Sequence, residues 1–185
     1  MPKCTVVGKS FVTKLLDGGV AAVKRYSLCN KVLYRAWEKD FILVEVHKGD
    51  FHWTWVNINL CDCRFEWNCS LHSEVSHRVM ELLSSWLAWL IETEGKRLCI
   101  HPTRWSFCDM RETSPRQGGD LHCGVFTLFG MTALKFGQRP SFTLRDAAYL
   151  RDRLLLECIK IKLLPELRRH VQRGVDEEEP CTDLD

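Results

Sequence analysis

The stretch Trp53-Thr54-Trp55-Val56-Asn57-Ile58-Asn59-Leu60 is followed, after Cys61-Asp62, by Cys63-Arg64-Phe65-Glu66-Trp67-Asn68-Cys69. Its first half partly alternates apolar with polar side chains and its second half alternates strictly, the signature of adjoining β-strands. Period two puts Cys63, Phe65, Trp67 and Cys69 on one face and Arg64, Glu66 and Asn68 on the other. A half-buried antiparallel pair is therefore predicted. Just upstream, Phe41-Ile42-Leu43-Val44-Glu45-Val46 is a short apolar run suited to a buried strand.

Helical signals follow these strands. Val79, Met80, Leu83, Trp86, Leu87 and Leu90 recur at three-and-four spacing, with Gly95 as a stop. A second run, Val125 to Phe136, ends at Gly137 and then Pro140. A third opens at Thr143, with Asp146 placed as a capping-box partner. It carries Ala147, Leu150, Leu154, Cys158 and Ile161 before Pro165 interrupts it. Strands in the middle with helices around them make an α+β pattern. Trp37, Trp86 and Trp89 are expected in the core.

Composition narrows the class. The chain has 185 residues with a 45% apolar share, enough to bury a core without staples and too apolar for a disordered chain. Met1 to Lys14 carry charge and no apolar core, so no secretory signal is read there. The longest apolar stretch, Leu82 to Ile91, is too short to span a bilayer. An intracellular protein of the nucleus or cytoplasm is expected, off the membrane, its ten cysteines reduced. Six of the last ten residues are acidic, and removing them leaves 26 basic against 18 acidic side chains. Those bases are scattered rather than clustered with stacking aromatics, which favours a solvated surface over a nucleic-acid partner. One domain over residues 1–173 and an acidic disordered tail over 174–185 are expected.

The chemistry concentrates in Gln117-Gly118-Gly119-Asp120-Leu121-His122-Cys123-Gly124-Val125-Phe126. A thiol at a helix N-terminus meets unpaired backbone N–H groups and the positive end of the dipole, which favour the thiolate. The backbone N–H of Cys123 and the amide of Gln117 are both candidate donors to an oxyanion. The same pattern also suits a small buried cysteine at the start of a packed helix. A nucleophilic thiol needs a base, and His52 at the start of a strand is the better candidate. His122 is the poorer one, because sequence neighbours seldom meet ring to sulfur. Cys61 and Cys63 with Cys69, or Cys99 and His101 with Cys108, lack the paired spacing of a zinc module. No metal and no cofactor are expected.

Several segments in order resemble the ubiquitin-like-specific cysteine proteases. These include the SUMO-specific (sentrin-specific) proteases and, more distantly, the adenovirus protease. The matching pieces are Asp40-Phe41-Ile42-Leu43-Val44-Glu45-Val46-His47, then His52-Trp53, then Gln117 six before Cys123-Gly124-Val125-Phe126. Ser10-Phe11-Val12-Thr13-Lys14-Leu15 and Ala22-Val23-Lys24-Arg25-Tyr26 look like the same family's upstream stretches. Arg139-Pro140-Ser141-Phe142-Thr143, with Tyr149-Leu150-Arg151, resembles its closing region. The resemblance implies a papain-like fold, a central mostly antiparallel sheet flanked by helices. It implies His52 as general base, Cys123 as nucleophile and Gln117 as oxyanion donor. Trp53 would line the narrow channel that admits a substrate's Gly-Gly end. The activity implied is cleavage after the diglycine terminus of a ubiquitin-like protein such as SUMO, in a precursor or a conjugate. A monomer is expected.

The resemblance has departures. Where the family has Asp-Ser at the end of the strand after the histidine strand, the count along the hairpin reaches Cys69-Ser70. A thiol is a weak hydrogen-bond partner, and losing the acid in a serine triad costs about 10⁴ in rate. Asn68 is adjacent, but alternation points it to the opposite face. Before the nucleophile, Gly119-Asp120-Leu121-His122 stands for the family's Asn-Gly-x-Asp, and the loop Gly49-Asp50-Phe51 is one residue longer. The chain is also expected to lack the family's N-terminal helix, whose tryptophan clamps the diglycine from the other side. These departures keep two further readings open: a pseudoprotease that binds a ubiquitin-like protein without turnover, and a viral-type processing protease.

Overall fold

Strands β2 (Phe41–Lys48) and β3 (His52–Asn59) pair antiparallel over eight residues, from Phe41 opposite Asn59 to Lys48 opposite His52. In this computed structural model, which describes residues 2–49, 51–94, 101–119 and 121–160, that hairpin is the centre of a five-stranded sheet. β4 (Arg64–Asn68) pairs antiparallel with β3. The two edges are parallel: β1 (Cys4–Val7) beside β2, and β5 (Ser106–Asp109) beside β4. The predicted central strands are thus present within a residue or two of their expected ends. Both edge strands are four residues long and were not predicted.

Apolar residues on one face of the sheet, among them Ile42, Val44, Val56, Ile58, Phe65 and Trp67, belong to the main core. Helices α1 (Lys9–Cys29) and α3 (His77–Thr93) cover it. Trp86 of α3 is fully buried, stacks edge-on against Phe11 at 4.8 Å and donates its indole N–H to Ser27 Oγ at 3.0 Å. A large aromatic so placed is worth about 3–5 kcal/mol against alanine. Trp37 and Trp89 pack partly buried against the same core. Helix α1 is broken at Gly19, where φ is 63°. The short helix α2 (Lys31–Tyr34) follows it.

Helix α4 (Cys123–Lys135) packs on the opposite face, where Met131 joins Leu43 and Trp55. The close approach depends on Gly130: a Cβ there would come within 2.4 Å of the Trp55 ring. The helix stops where glycine was expected to stop it. Gly137 has φ 70°, its N–H bonds Leu134 O at 2.9 Å and the Gln138 N–H bonds Ala133 O at 2.9 Å, the Schellman pattern.

One expectation is corrected. Glu66 and Asn68 lie on the face opposite the main core, as alternation requires, but they are buried rather than solvated. The cause is a polar network under the α4 side. Asn57 Nδ2 donates to Glu66 Oε2 at 2.6 Å, Arg64 Nε to Glu66 Oε1 at 2.5 Å, and Ser114 Oγ to Asn68 Oδ1 at 3.0 Å. Buried carboxylates and amides are tolerated when satisfied in this way. Cys63 also falls outside β4, in the preceding turn with φ 53°.

The chain divides into two units, Met1–Arg145 and Asp146–Asp185. In the second, α5 (Ala147–Cys158) follows a 3₁₀ turn over Leu144–Asp146, so the opening expected at Thr143 is a turn before the helix. Gly95, Cys99, Asp120, Ile161, Pro165 and the acidic tail lie outside the described residues. Among the described residues no helix is long and apolar enough to cross a membrane.

Candidate active site

His52 opens β3 directly after Phe51 and is half-buried. Across the sheet, Cys69 follows the last residue of β4 and is fully buried. The two side chains meet, with His52 Nε2 3.1 Å from Cys69 Sγ. Cys69, the residue that the hairpin count reaches, thus lies against the ring. Cys69 Sγ also accepts the backbone N–H of Ser73 at 3.4 Å and lies 3.1 Å from Ser73 Oγ. Asn68 turns to the other face as expected, its amide donating to Glu66 O at 3.1 Å.

Cys123 is the first residue of α4, with His122 at the N-cap. The first N–H groups of a helix have no partner within it, so the thiol starts at a cluster of backbone donors. Cys123 is buried, and its Sγ donates to the carbonyl of Phe51 at 3.5 Å. Phe51 is the residue before His52, so the thiol is tied to the start of the histidine strand. The packing of Gly130 against Trp55, which lies on that same strand, holds helix and strand together.

Gln117 is buried beside the Cys69 end of the sheet. Its backbone N–H donates to Ser70 O at 2.9 Å and its Oε1 accepts from Ser70 Oγ at 2.5 Å. Its Nε2 donates to Gly119 O. A primary amide has two N–H donors, so this one bond does not exhaust the donors of Gln117. Trp53 follows His52 and lies against α4: a Cβ on Gly124 would sit 3.9 Å from its ring. The other sides of the indole meet His47, 4.7 Å between ring centroids, and Lys9, whose Nζ is 5.3 Å from the ring centre.

The five residues singled out from the sequence are thereby tied pairwise. His52 joins Cys69, Cys123 joins the residue before His52, Gln117 joins the residue after Cys69, and Trp53 borders the residue after Cys123. Sequence reasoning missed Lys48 and Ser73, which lie beyond Cys69, and the Phe51 carbonyl. Only Ser70 carried a signal, as the second member of the Cys69-Ser70 pair. Among the described residues no three His, Cys, Asp or Glu side chains are grouped to hold a metal ion.

Known proteins are similar to this chain in sequence and in fold. Residues 1–164 match the Ulp1 protease family, C-terminal catalytic domain. A sentrin-specific protease of Caenorhabditis elegans is 30% identical over 164 residues, 88% of this chain and 22% of that protein. The Ulp1-like SUMO protease catalytic domain of Chaetomium thermophilum superposes with a TM-score of 0.65 at 25% identity, covering 82% of this chain and 58% of that one. The yeast C-terminal Ulp1 protease domain, solved in complex with Smt3, the yeast ortholog of SUMO, gives 0.66 at 18% identity, over 81% and 65% of the two chains. The chain spans less than half the length of the curated relatives it matches. The α+β fold is the papain-like fold of these proteases, and the chain belongs to the Ulp1 protease family.

Proposed function

We propose that this chain is a thiol-dependent peptidase or isopeptidase that cleaves after the C-terminal diglycine of a SUMO-type ubiquitin-like protein. The observation that carries the reading is the tie between Cys123 Sγ and the Phe51 carbonyl, beside a histidine whose far nitrogen is already held by Cys69. In the reaction the Cys123 proton passes to His52 as the sulfur bonds the scissile carbonyl carbon. The oxyanion takes N–H donors from Gln117 and the start of α4. The C–N bond then breaks, His52 returns the proton to the leaving amine, and a thioester remains. Water activated by His52 releases the carboxylate and restores the thiol. Trp53, packed beside Gly124, forms one wall of a slot too narrow for a side chain, which selects glycine. No cofactor takes part, and the partner is the ubiquitin-like protein or its conjugate. The free thiols of Cys4, Cys29, Cys69 and Cys123 suit a reducing compartment such as nucleus or cytoplasm.

A second reading, a pseudoprotease that binds without turnover, is favoured by one observation: the group at His52 Nε2 is a thiol and not a carboxylate. Hydrolysis of a SUMO precursor extended beyond its diglycine separates the two. The peptidase reading predicts release of the extension by the wild type and none by Cys123→Ala. Saturable binding with equal, background hydrolysis by both proteins would establish the second.

A further inference from the structure

Two apolar side chains stand in solvent beside the reacting pair. Phe51 is 85% exposed and Leu121 is 83% exposed, whereas no other large apolar side chain among the described residues exceeds Tyr149 at 62%. One exposed leucine or phenylalanine is ordinary on a protein surface, but two brought to one spot mark a contact site. They come from distant segments: Phe51 immediately precedes His52, and Leu121 stands two residues before Cys123. The contact of Cys123 Sγ with the Phe51 carbonyl at 3.5 Å joins those segments. The residues that follow the pair behave differently. Trp53, one after His52, lies against Gly124, one after Cys123. Residues after the pair thus pack together as a wall, and residues before it keep apolar side chains in water. Both precede regular elements, β3 and α4, and loop residues held by such a scaffold are where substrates are usually read.

We infer that Phe51 and Leu121 are specificity-determining residues that hold an apolar side chain immediately after the diglycine, on the leaving-group side of the scissile bond. This rests on the reading of Cys123 and His52 as the reacting pair and of Trp53 as a wall of the diglycine slot. His52 returns its proton to the leaving amine, so the leaving group has to reach the start of β3, where Phe51 is the next residue. A diglycine lying along Trp53 and Gly124 takes up the other direction. The chain that continues past the sulfur therefore runs out beside Phe51 and Leu121. Their side chains offer only carbon and hydrogen, so the partner they favour is an aliphatic or aromatic side chain, whose contact takes apolar surface of both out of water. The slot selects glycine before the bond, and this pair adds a choice after it.

SUMO-type precursors that differ only in the residue after the diglycine (leucine, phenylalanine or serine) test this through their kcat/KM. The wild type should prefer leucine and phenylalanine over serine by about tenfold, the scale on which a small apolar contact discriminates. Phe51→Ser and Leu121→Ser should each reduce that preference, and the double variant should bring the ratio close to one. Both side chains are exposed, so serine is safe for folding, and a ratio taken on one enzyme cancels any change at Cys123 or His52. No preference in the wild type, or a preference that survives in the double variant, overturns the inference. An equal loss on all three precursors, with the ratio kept, would place the pair against the body of the modifier and overturn it too. If no precursor is hydrolysed, the peptidase reading fails, and binding to the Cys123→Ala protein decides the inference. Tighter binding of the leucine precursor than of the serine one, levelled by adding Phe51→Ser and Leu121→Ser, upholds the contact, and equal binding overturns it.

Discussion

The imidazole of His52, the first residue of β3, and the fully buried thiol of Cys69, just after β4, meet at 3.1 Å, Nε2 to Sγ. A sulfur therefore occupies the place where the resemblance calls for a carboxylate. The surroundings are already furnished for an anion, because the N–H of Ser73 points at this atom and its hydroxyl lies within reach. Cys69→Asp should fold with little loss, since those donors and the imidazole satisfy the new carboxylate. It should raise kcat by about tenfold or more, within the 10⁴ that a triad acid is worth. Steady-state hydrolysis of a diglycine precursor measures it. An unchanged rate would show that residue 69 does not orient the base.

Gln117 is pinned by Ser70 through both its backbone and its side chain. Gln117→Ala should lower kcat by about 10²-fold with a small change in KM, the pattern of a donor that acts in the transition state. Ser70→Ala should move kcat in the same direction by a smaller factor, because it frees the amide without removing it. A loss confined to KM would place Gln117 in substrate binding only.

Helix α4 sits where it does because residue 130 has no side chain. Gly130→Ala forces a methyl into the Trp55 ring and should cost about 1–3 kcal/mol, read as a lowered denaturation midpoint. Because the helix carries Cys123 at its first position, activity should fall even under conditions where the variant is folded. Retention of full stability would mean that helix and sheet are less tightly packed than the distances imply.

Cysteine reactivity should separate the thiols. Burial, then the neighbouring Asp40 and Asp62 carboxylates, push the Cys61 thiol up from its ordinary value. A raised thiol holds less thiolate below that value and gains it as pH rises, so Cys61 should alkylate slowly near neutrality and faster in alkali. Peptide mapping after iodoacetamide treatment at several pH values tests this. Rapid labelling of Cys61 at neutral pH would contradict it.

The central strands were legible from one apolar run and two stretches of alternation, α3 from its three-and-four spacing, and α4 from an apolar run closed by Gly137. Four-residue β1 and β5 offer too few positions for a pattern, and Gly18-Gly19 interrupts α1 at the point where continuity would have shown it. Alternation located Glu66 and Asn68 on the correct face but carries no information about what covers that face. His52, Cys123 and Gln117 were readable through ordered motifs and Cys69 by counting along a hairpin. Lys48 and Ser73 were not readable. Their meeting depends on how the turn after β4 folds back against the β2–β3 corner, and no local periodicity encodes that.

The central claim is that Cys123 is a nucleophile for a diglycine carbonyl, and covalent capture tests it most directly. The purified chain is incubated under reducing conditions with a SUMO-type protein bearing a C-terminal electrophile, and intact mass and peptide mapping follow. The account predicts one adduct, located on Cys123, absent in Cys123→Ala and strongly reduced in His52→Ala. No adduct in the wild type, or an adduct on another cysteine that survives Cys123→Ala, would contradict it.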